Sequence, residues 1–124
     1  MKLAVVGSRG IKECDLDSLV PLETTEIISG GARGVDTLAV EYARKRGIPV
    51  REFFPDYERY GRKAPLIRNE QIVVACDQVL AVWDGHSSGT MYTVRLAHSL
   101  GKPVRLCRLK PNEEPLEGQT SFWK

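Results

Sequence analysis

A repeated transition constrains this chain more than any other feature: a short apolar run stops at glycine, and a helix-patterned stretch follows. Leu3-Ala4-Val5-Val6 ends in Gly7. A strand without polar alternation is buried on both faces, as parallel strands are when helices cover them from either side. Glu26-Ile27-Ile28-Ser29 ends in Gly30-Gly31, and Val35 to Arg46 then reads as a helix. Its residues Val35, Leu38, Ala39, Tyr42 and Ala43 share one face. Lys45 and Arg46 complement the negative end of its dipole, and Gly47 stops it.

The same reading extends along the chain. Asp15 to Leu19 predicts a short helix limited by Pro21, and Ile48 to Phe54 a third strand closed by Pro55. Asp56 to Lys63 reads as a polar loop carrying Tyr57, Tyr60 and Gly61. Ala64 to Cys76 follows as a helix that turns Leu66, Ile67, Ile72 and Val73 to the core. Asp77 to Val82 leads into Trp83-Asp84-Gly85, a fourth strand and its exit turn. Thr90 to Leu100 is a helix ended by Gly101. In Pro103 to Leu109, Val104 and Leu106 alternate with Arg105, which predicts an edge strand exposed on one face.

Strands and helices that alternate with short connections predict an α/β fold. The expectation is a Rossmann-like three-layer αβα sandwich with a mainly parallel sheet of about five strands. A chain of 124 residues accommodates one such domain. Residues 1–109 are assigned to it, and 110–124, rich in Pro, Glu and Gly, to a C-terminal tail whose Phe122 and Trp123 can dock back.

Eighteen Lys and Arg against sixteen Asp and Glu leave a net charge of +2, too small to argue for nucleic acid by itself. Cys14, Cys76 and Cys107 match no zinc or disulfide spacing and read as free thiols in a reducing compartment. His86 and His98 have no metal-ligand partners at usable spacing. No apolar stretch is long enough to span a membrane, and the opening run is too short for a signal peptide. The expectations are a cytoplasmic protein, no metal, no cofactor and no membrane partner.

In open parallel sheets, ligands bind outside the carboxyl ends of the strands, where the strand order reverses. Three segments fall there: Gly7-Ser8-Arg9-Gly10, Ser29-Gly30-Gly31-Ala32-Arg33-Gly34-Val35-Asp36, and Asp84-Gly85-His86-Ser87-Ser88-Gly89-Thr90. Backbone N–H groups at a helix N-terminus hold phosphate well, and glycine removes the Cβ that blocks close approach. None of the segments is a G-x-G-x-x-G fingerprint or a Walker A loop. The competing reading is that the glycines only make turns and that Ser8 and Ser88 cap helices. Asp36 suits capping or a sugar hydroxyl, and Arg33 suits an anion or plain solvent. Arg59, Arg62, Lys63 and Arg68 lie near Tyr57 and Tyr60 and read as solvated charges or as a lid that stacks a base. Arg68 and Asn69 are placed to reach the strand ends.

Val5-Val6-Gly7-Ser8-Arg9, Ile28 to Ala39, Arg68-Asn69, Asp84-Gly85 and Ser88-Gly89-Thr90 together resemble the SLOG superfamily. That superfamily joins the SMF/DprA DNA-processing proteins with the LOG cytokinin-activating enzymes. The likeness runs from Lys2 to about Leu109 and is nearest the small stand-alone branch related to YspA and YpsA. It implies a Rossmann-like fold and a nucleotide-derived ligand. LOG enzymes, which cleave a base from ribose 5-phosphate, carry Pro-Gly-Gly-x-Gly-Thr-x-x-Glu. Here Asp84-Gly85-His86 replaces the leading triplet, and Thr93 stands where the Glu would be. Arg68 is similar to the arginine of that family's other motif.

Three functions compete. The first is a module that senses or sequesters a small nucleotide-like ligand. Its phosphate is held by Gly7, Ser8, Arg9, Gly30, Gly31, Ala32, Arg33, Gly34, Val35, Asp36, Arg68, Asn69, Gly85, Ser88, Gly89 and Thr90. The second is a hydrolase of a nucleotide N-glycosidic bond, with Asp84, ahead of Asp36, as the catalytic carboxylate. The third is a single-stranded DNA binder that stacks bases on the tyrosine and arginine loop. The apolar helix faces also fit a homodimer.

Overall fold

The apolar runs become the parallel strands that their composition calls for. The computed structural model describes residues 1–109 and 120–123. The elements are β1 (Lys2–Gly7), α1 (Leu16–Leu19), β2 (Glu26–Ser29), α2 (Val35–Arg46), β3 (Val50–Glu52), α3 (Tyr57–Tyr60), a 3₁₀ turn (Gly61–Lys63), α4 (Ala64–Ala75), β4 (Gln78–Trp83), α5 (Ser88–Ser99), β5 (Val104–Arg108) and β6 (Thr120–Trp123). Among the described residues the sheet order is β3-β2-β1-β4-β5-β6. The first five strands run parallel, and β6 pairs antiparallel with β5.

Side chains of β1 divide between two cores because successive residues of a strand point to opposite faces. Leu3 and Val5 join Val35, Ala39 and Ala43 of α2 and Leu16 and Leu19 of α1. Ala4 and Val6 join Ile72 and Val73 of α4 and Val94 and Ala97 of α5. The result is the expected Rossmann-like three-layer αβα sandwich. Each fully buried aliphatic side chain contributes about 1.5–3 kcal/mol relative to exposure. Chain order steps from β1 outward to β3 and then crosses back to β4 on the other side of β1. The crevice between the ends of β1 and β4 is therefore the point where strand order reverses.

The structure corrects the sequence reading in five places. The third strand is shorter than Ile48 to Phe54. The Ile48 N–H closes the end of α2 on the Ala43 carbonyl at 2.9 Å, and Pro49 has no N–H to give. The polar stretch after Pro55 contains α3, because the Asp56 carboxylate accepts the Arg59 N–H at 3.1 Å and caps a helical turn. On α4, Leu66 is 42% exposed, while Arg68 is buried at 8%. The start of α5 is Ser88, capped by Ser87 and not by Ser88. Finally, β5 is not the edge, since β6 covers it. Of the expected tail, residues 110–119 and 124 lie outside the described residues. No helix among the described residues is long and apolar enough to cross a membrane.

Candidate functional site

At the end of β1 the chain turns through Ser8, which is almost fully buried. Its N–H donates to the Val82 carbonyl of β4 at 3.0 Å, and its hydroxyl accepts the Asp84 N–H at 3.0 Å. Ser8 therefore stitches the first strand-end loop to the third and caps no helix. The second loop packs on the first. Gly34 has φ +75°, and a Cβ there would lie 2.4 Å from the Ser8 carbonyl oxygen. The Val35 N–H reaches that same oxygen at 3.4 Å. Gly31 has φ +69°, and a Cβ would lie 2.3 Å from the ring of Phe54. These two glycines are required by left-handed backbone and by close neighbours within the chain.

Around these joints lies a cavity of about 390 Å³. That is within the range of about 300–1,000 Å³ usual for small-molecule sites. Of the residues predicted from sequence, Gly7, Arg9, Ala32, Asp36, Arg68, Asn69, Asp84, Gly89 and Thr90 line it. Ser8, Gly30, Gly31, Arg33, Gly34, Val35, Gly85 and Ser88 do not form its wall. Val35 is in the core, and Arg33 and Ser88 are exposed. Gly30 gives its carbonyl to Arg68, and Gly85, at φ +92°, packs on Arg108. Ser87, read with the third segment, also lines the cavity, and Thr93 and Leu66 line it without having been singled out for it. Ser87 lies three residues before Thr90, the spacing of a capped first helical turn, and Thr93 follows in the second turn.

Two carboxylates line the cavity with pKa values shifted in opposite directions. Asp36 is 6% exposed and accepts the Ala32 N–H at 3.1 Å. Burial pushes its pKa from 3.8 up to about 6, against the pull of N–H groups from Ala32 and Gly30 and of the Arg68 and Arg9 charges. For Asp84, partial burial also acts upward. It is outweighed by the N–H groups of His86 and Ser87, at 2.7 and 2.9 Å, and by the Ser8 hydroxyl, so Asp84 sits below the usual carboxylate range. Arg68 donates from Nη1 to the Gly30 carbonyl and from Nε to Asn69 Oδ1 at 2.9 Å. Burial draws its pKa below the ordinary value, and the nearby Asp36 charge opposes that shift.

The start of α5 completes the wall. Ser87 caps it: its hydroxyl accepts the Thr90 N–H at 3.4 Å and lies 3.0 Å from Thr90 Oγ1. The Ser87 carbonyl is held by the Trp83 indole N–H at 3.0 Å. Thr93, 2% exposed, donates its hydroxyl to the Gly89 carbonyl at 3.1 Å. Gly89 differs from Gly31 and Gly34: its backbone is helical, and a Cβ would meet nothing within 4 Å. Neither conformation nor packing calls for glycine there. Gly89 and Thr90 of this first turn, at the positive end of the helix dipole, line the cavity.

Among the described residues, no group of three or more His, Cys, Asp and Glu side chains is placed to hold a metal ion. Compared with known protein families, residues 1–60 match the model described as YAcAr: YspA, cpYpsA-related SLOG family. The match covers β1, α1, β2, α2, β3 and α3, and bears out the SLOG resemblance read from the sequence. A search of the curated proteins finds no match.

Proposed function

With residues 1–60 matched to a SLOG family, we propose that this domain binds a small nucleotide-like ligand, as a sensor or a sequestering module. The phosphate lies against the first turn of α5, and Arg9 and Arg68 supply positive charge across the cavity. The observation that carries this reading is Gly89. It is a residue unfavourable to helices, placed in a helix, on a cavity wall, with open space where its side chain would be. Calorimetric titration with nucleoside 5′-monophosphates tests it. Gly89→Val, which puts a branched side chain into that space, should lower affinity at least tenfold, and unchanged affinity would refute the assignment.

A second reading is supported by the two carboxylates. One cavity with an ionised Asp84 and an Asp36 that holds its proton up to about pH 6 offers a charge stabiliser and a proton donor. These are the two roles that cleavage of an N-glycosidic bond requires. In this reading Asp84 stabilises the developing oxocarbenium ion, Asp36 protonates the departing base, and water adds its hydroxyl to the sugar carbon and returns a proton to Asp36. Incubation with nucleoside monophosphates, assayed for free base, decides between the two. No product across the panel leaves binding alone, whereas product formation that Asp36→Asn abolishes establishes hydrolysis.

A further inference from the structure

A second cavity, of about 210 Å³, lies on the flank of α4 turned away from the first. The residues that α4 gives to the first cavity are Pro65, Leu66, Asn69 and Ile72, and those it gives to the second are Ala64, Ile67 and Gln71. At 100° per residue these form two separate faces of the helix, with Arg68 between them. Asp56, Arg59 and Tyr60 line the second cavity from α3 and its cap. We propose that this cavity is a separate site for the hydrogen phosphate ion, held by Arg59 and Arg68 and recognised through its single proton by Asp56. It is independent of the phosphate site proposed above, and no ligand spans the two.

The charged groups around this cavity leave bonds unmade. Arg68 is 8% exposed, yet among the described residues its guanidinium finds only the Gly30 carbonyl, from Nη1, and Asn69 Oδ1, from Nε. Nη2 has no acceptor. Asp36 acts on its charge from the first cavity without forming an ion pair. A buried cation with unmatched donors is costly, and an anion beside it offsets that cost. The Arg59 guanidinium lies over the Tyr60 ring, 5.4 Å from its centre, and pairs with no carboxylate among the described residues. Gln71 adds amide donors. Two cations favour an anion, but Asp56 also stands in the wall. Its Oδ1 caps α3 on the Arg59 N–H, and its Oδ2 has no donor among the described residues. An anion that carries a proton satisfies both demands. Three oxygens of hydrogen phosphate accept from the arginines and Gln71, and its P–OH donates to Asp56 Oδ2. Sulfate, of the same shape and charge at pH 8, sets a fourth oxygen against the carboxylate. A phosphate monoester at that pH also lacks the proton, so the fit is to the free ion. At about 30 Å³ per water, the cavity has room for about seven water molecules, which admits the ion with part of its hydration.

Titration calorimetry at pH 8 on the full chain compares inorganic phosphate with sulfate. Gly89→Val removes the site at α5 and isolates the second cavity. In that variant phosphate should bind about tenfold tighter than sulfate, the gain expected of one charge-assisted hydrogen bond. Adding Asp56→Asn keeps the cap on α3 but turns an amide N–H toward the ion. It should erase the preference, chiefly by strengthening sulfate. Adding Arg59→Gln should weaken both ions alike. Equal affinities for the two ions in Gly89→Val overturn the proposal. So does a preference that survives Asp56→Asn, phosphate binding untouched by Arg59→Gln, or binding of neither ion. The first site is judged separately, by stoichiometry. Wild type should take up one more phosphate per chain than Gly89→Val, and equal stoichiometry refutes the site at α5 while leaving the second cavity standing.

Discussion

Replacing Gly89 by alanine should stabilise the protein and weaken its ligand binding, two effects that ordinarily travel together. Alanine is better than glycine in a helix interior by about 0.8–1.0 kcal/mol. Residue 89 is the second residue of α5, where part of that difference applies, so the gain is about 0.5 kcal/mol. The added methyl meets no atom within 4 Å, so no clash offsets it. Unfolding entropy of about 2.1 cal/mol/K per residue gives about 0.26 kcal/mol/K for a chain of 124 residues. The melting temperature should therefore rise by about 2 °C. In the proposed site the same methyl would stand between the anion and the first-turn N–H groups. Losing one charge-assisted hydrogen bond costs about 1.5–3 kcal/mol, or about 10- to 100-fold in Kd. Differential scanning calorimetry without ligand, and titration with a nucleoside 5′-monophosphate, measure the two quantities on one preparation. A lower melting temperature would mean that Gly89 is required by the fold. A higher one with unchanged affinity would mean that the cleared space serves no ligand.

The other predictions concern the two buried charges. Asp36 has a folded pKa of about 6 against an ordinary 3.8, so the native state holds the proton more tightly than the unfolded chain does. Its contribution to stability is fully present below about pH 4 and is lost as pH rises through about 6, a loss of about 3 kcal/mol. Asp36→Asn should therefore be more stable than wild type at pH 7.5, with the advantage shrinking towards pH 4 in urea unfolding. A difference independent of pH refutes the burial argument. Because Asp36 faces the cavity, sulfate, which does not titrate in this range, should bind wild type more tightly at pH 5 than at pH 7.5, and Asp36→Asn should remove that dependence. Arg68→Leu leaves the Gly30 carbonyl without its partner and should cost about 1–3 kcal/mol. It also removes a charge that lowers the Asp36 pKa, so that carboxyl should titrate above 6 by NMR, and a downward shift would contradict the geometry.

Element limits were legible where an apolar run met a physical stop. The strand Glu26–Ser29 and the helix Val35–Arg46 were read to the residue, because glycine ends the strand and flanks the helix on both sides and the apolar spacing of the helix is regular. The side of α4 that turns inward was not legible. Leu66 looked like core and is 42% exposed, and Arg68, read either as a solvated cation or as a residue able to reach the strand ends, is 8% exposed. What draws Arg68 in is a carbonyl 38 residues earlier, a partner that no local pattern announces. The glycines pose the same difficulty. Gly31, Gly34 and Gly89 look alike in the sequence, but one clears room for Phe54, one for the backbone of Ser8 and Arg9, and one for nothing in the chain. The distinction rests on neighbours distant in sequence, so the three loops could be placed at one edge of the sheet without revealing which had an open face.

Thr93 shows how this cavity divides its work. The LOG resemblance sets it against a glutamate, and its hydroxyl is turned back onto the Gly89 carbonyl. At that position the chain reinforces the start of α5 and offers no acid. The cavity's buried carboxylate comes from Asp36 on α2, across the crevice and from the other half of the sheet. In the proposed reading, grip and proton belong to different strand–helix units, β4–α5 for the anion and β2–α2 for the titrating group. Arg68 of α4 is placed between them, bound to the end of β2 and lining the cavity that α5 opens onto. A site divided in this way can lose its proton chemistry and keep its phosphate. On that reading binding requires less of this chain than catalysis does, and Arg68, which touches the end of β2 and lines the cavity, stands between the two units.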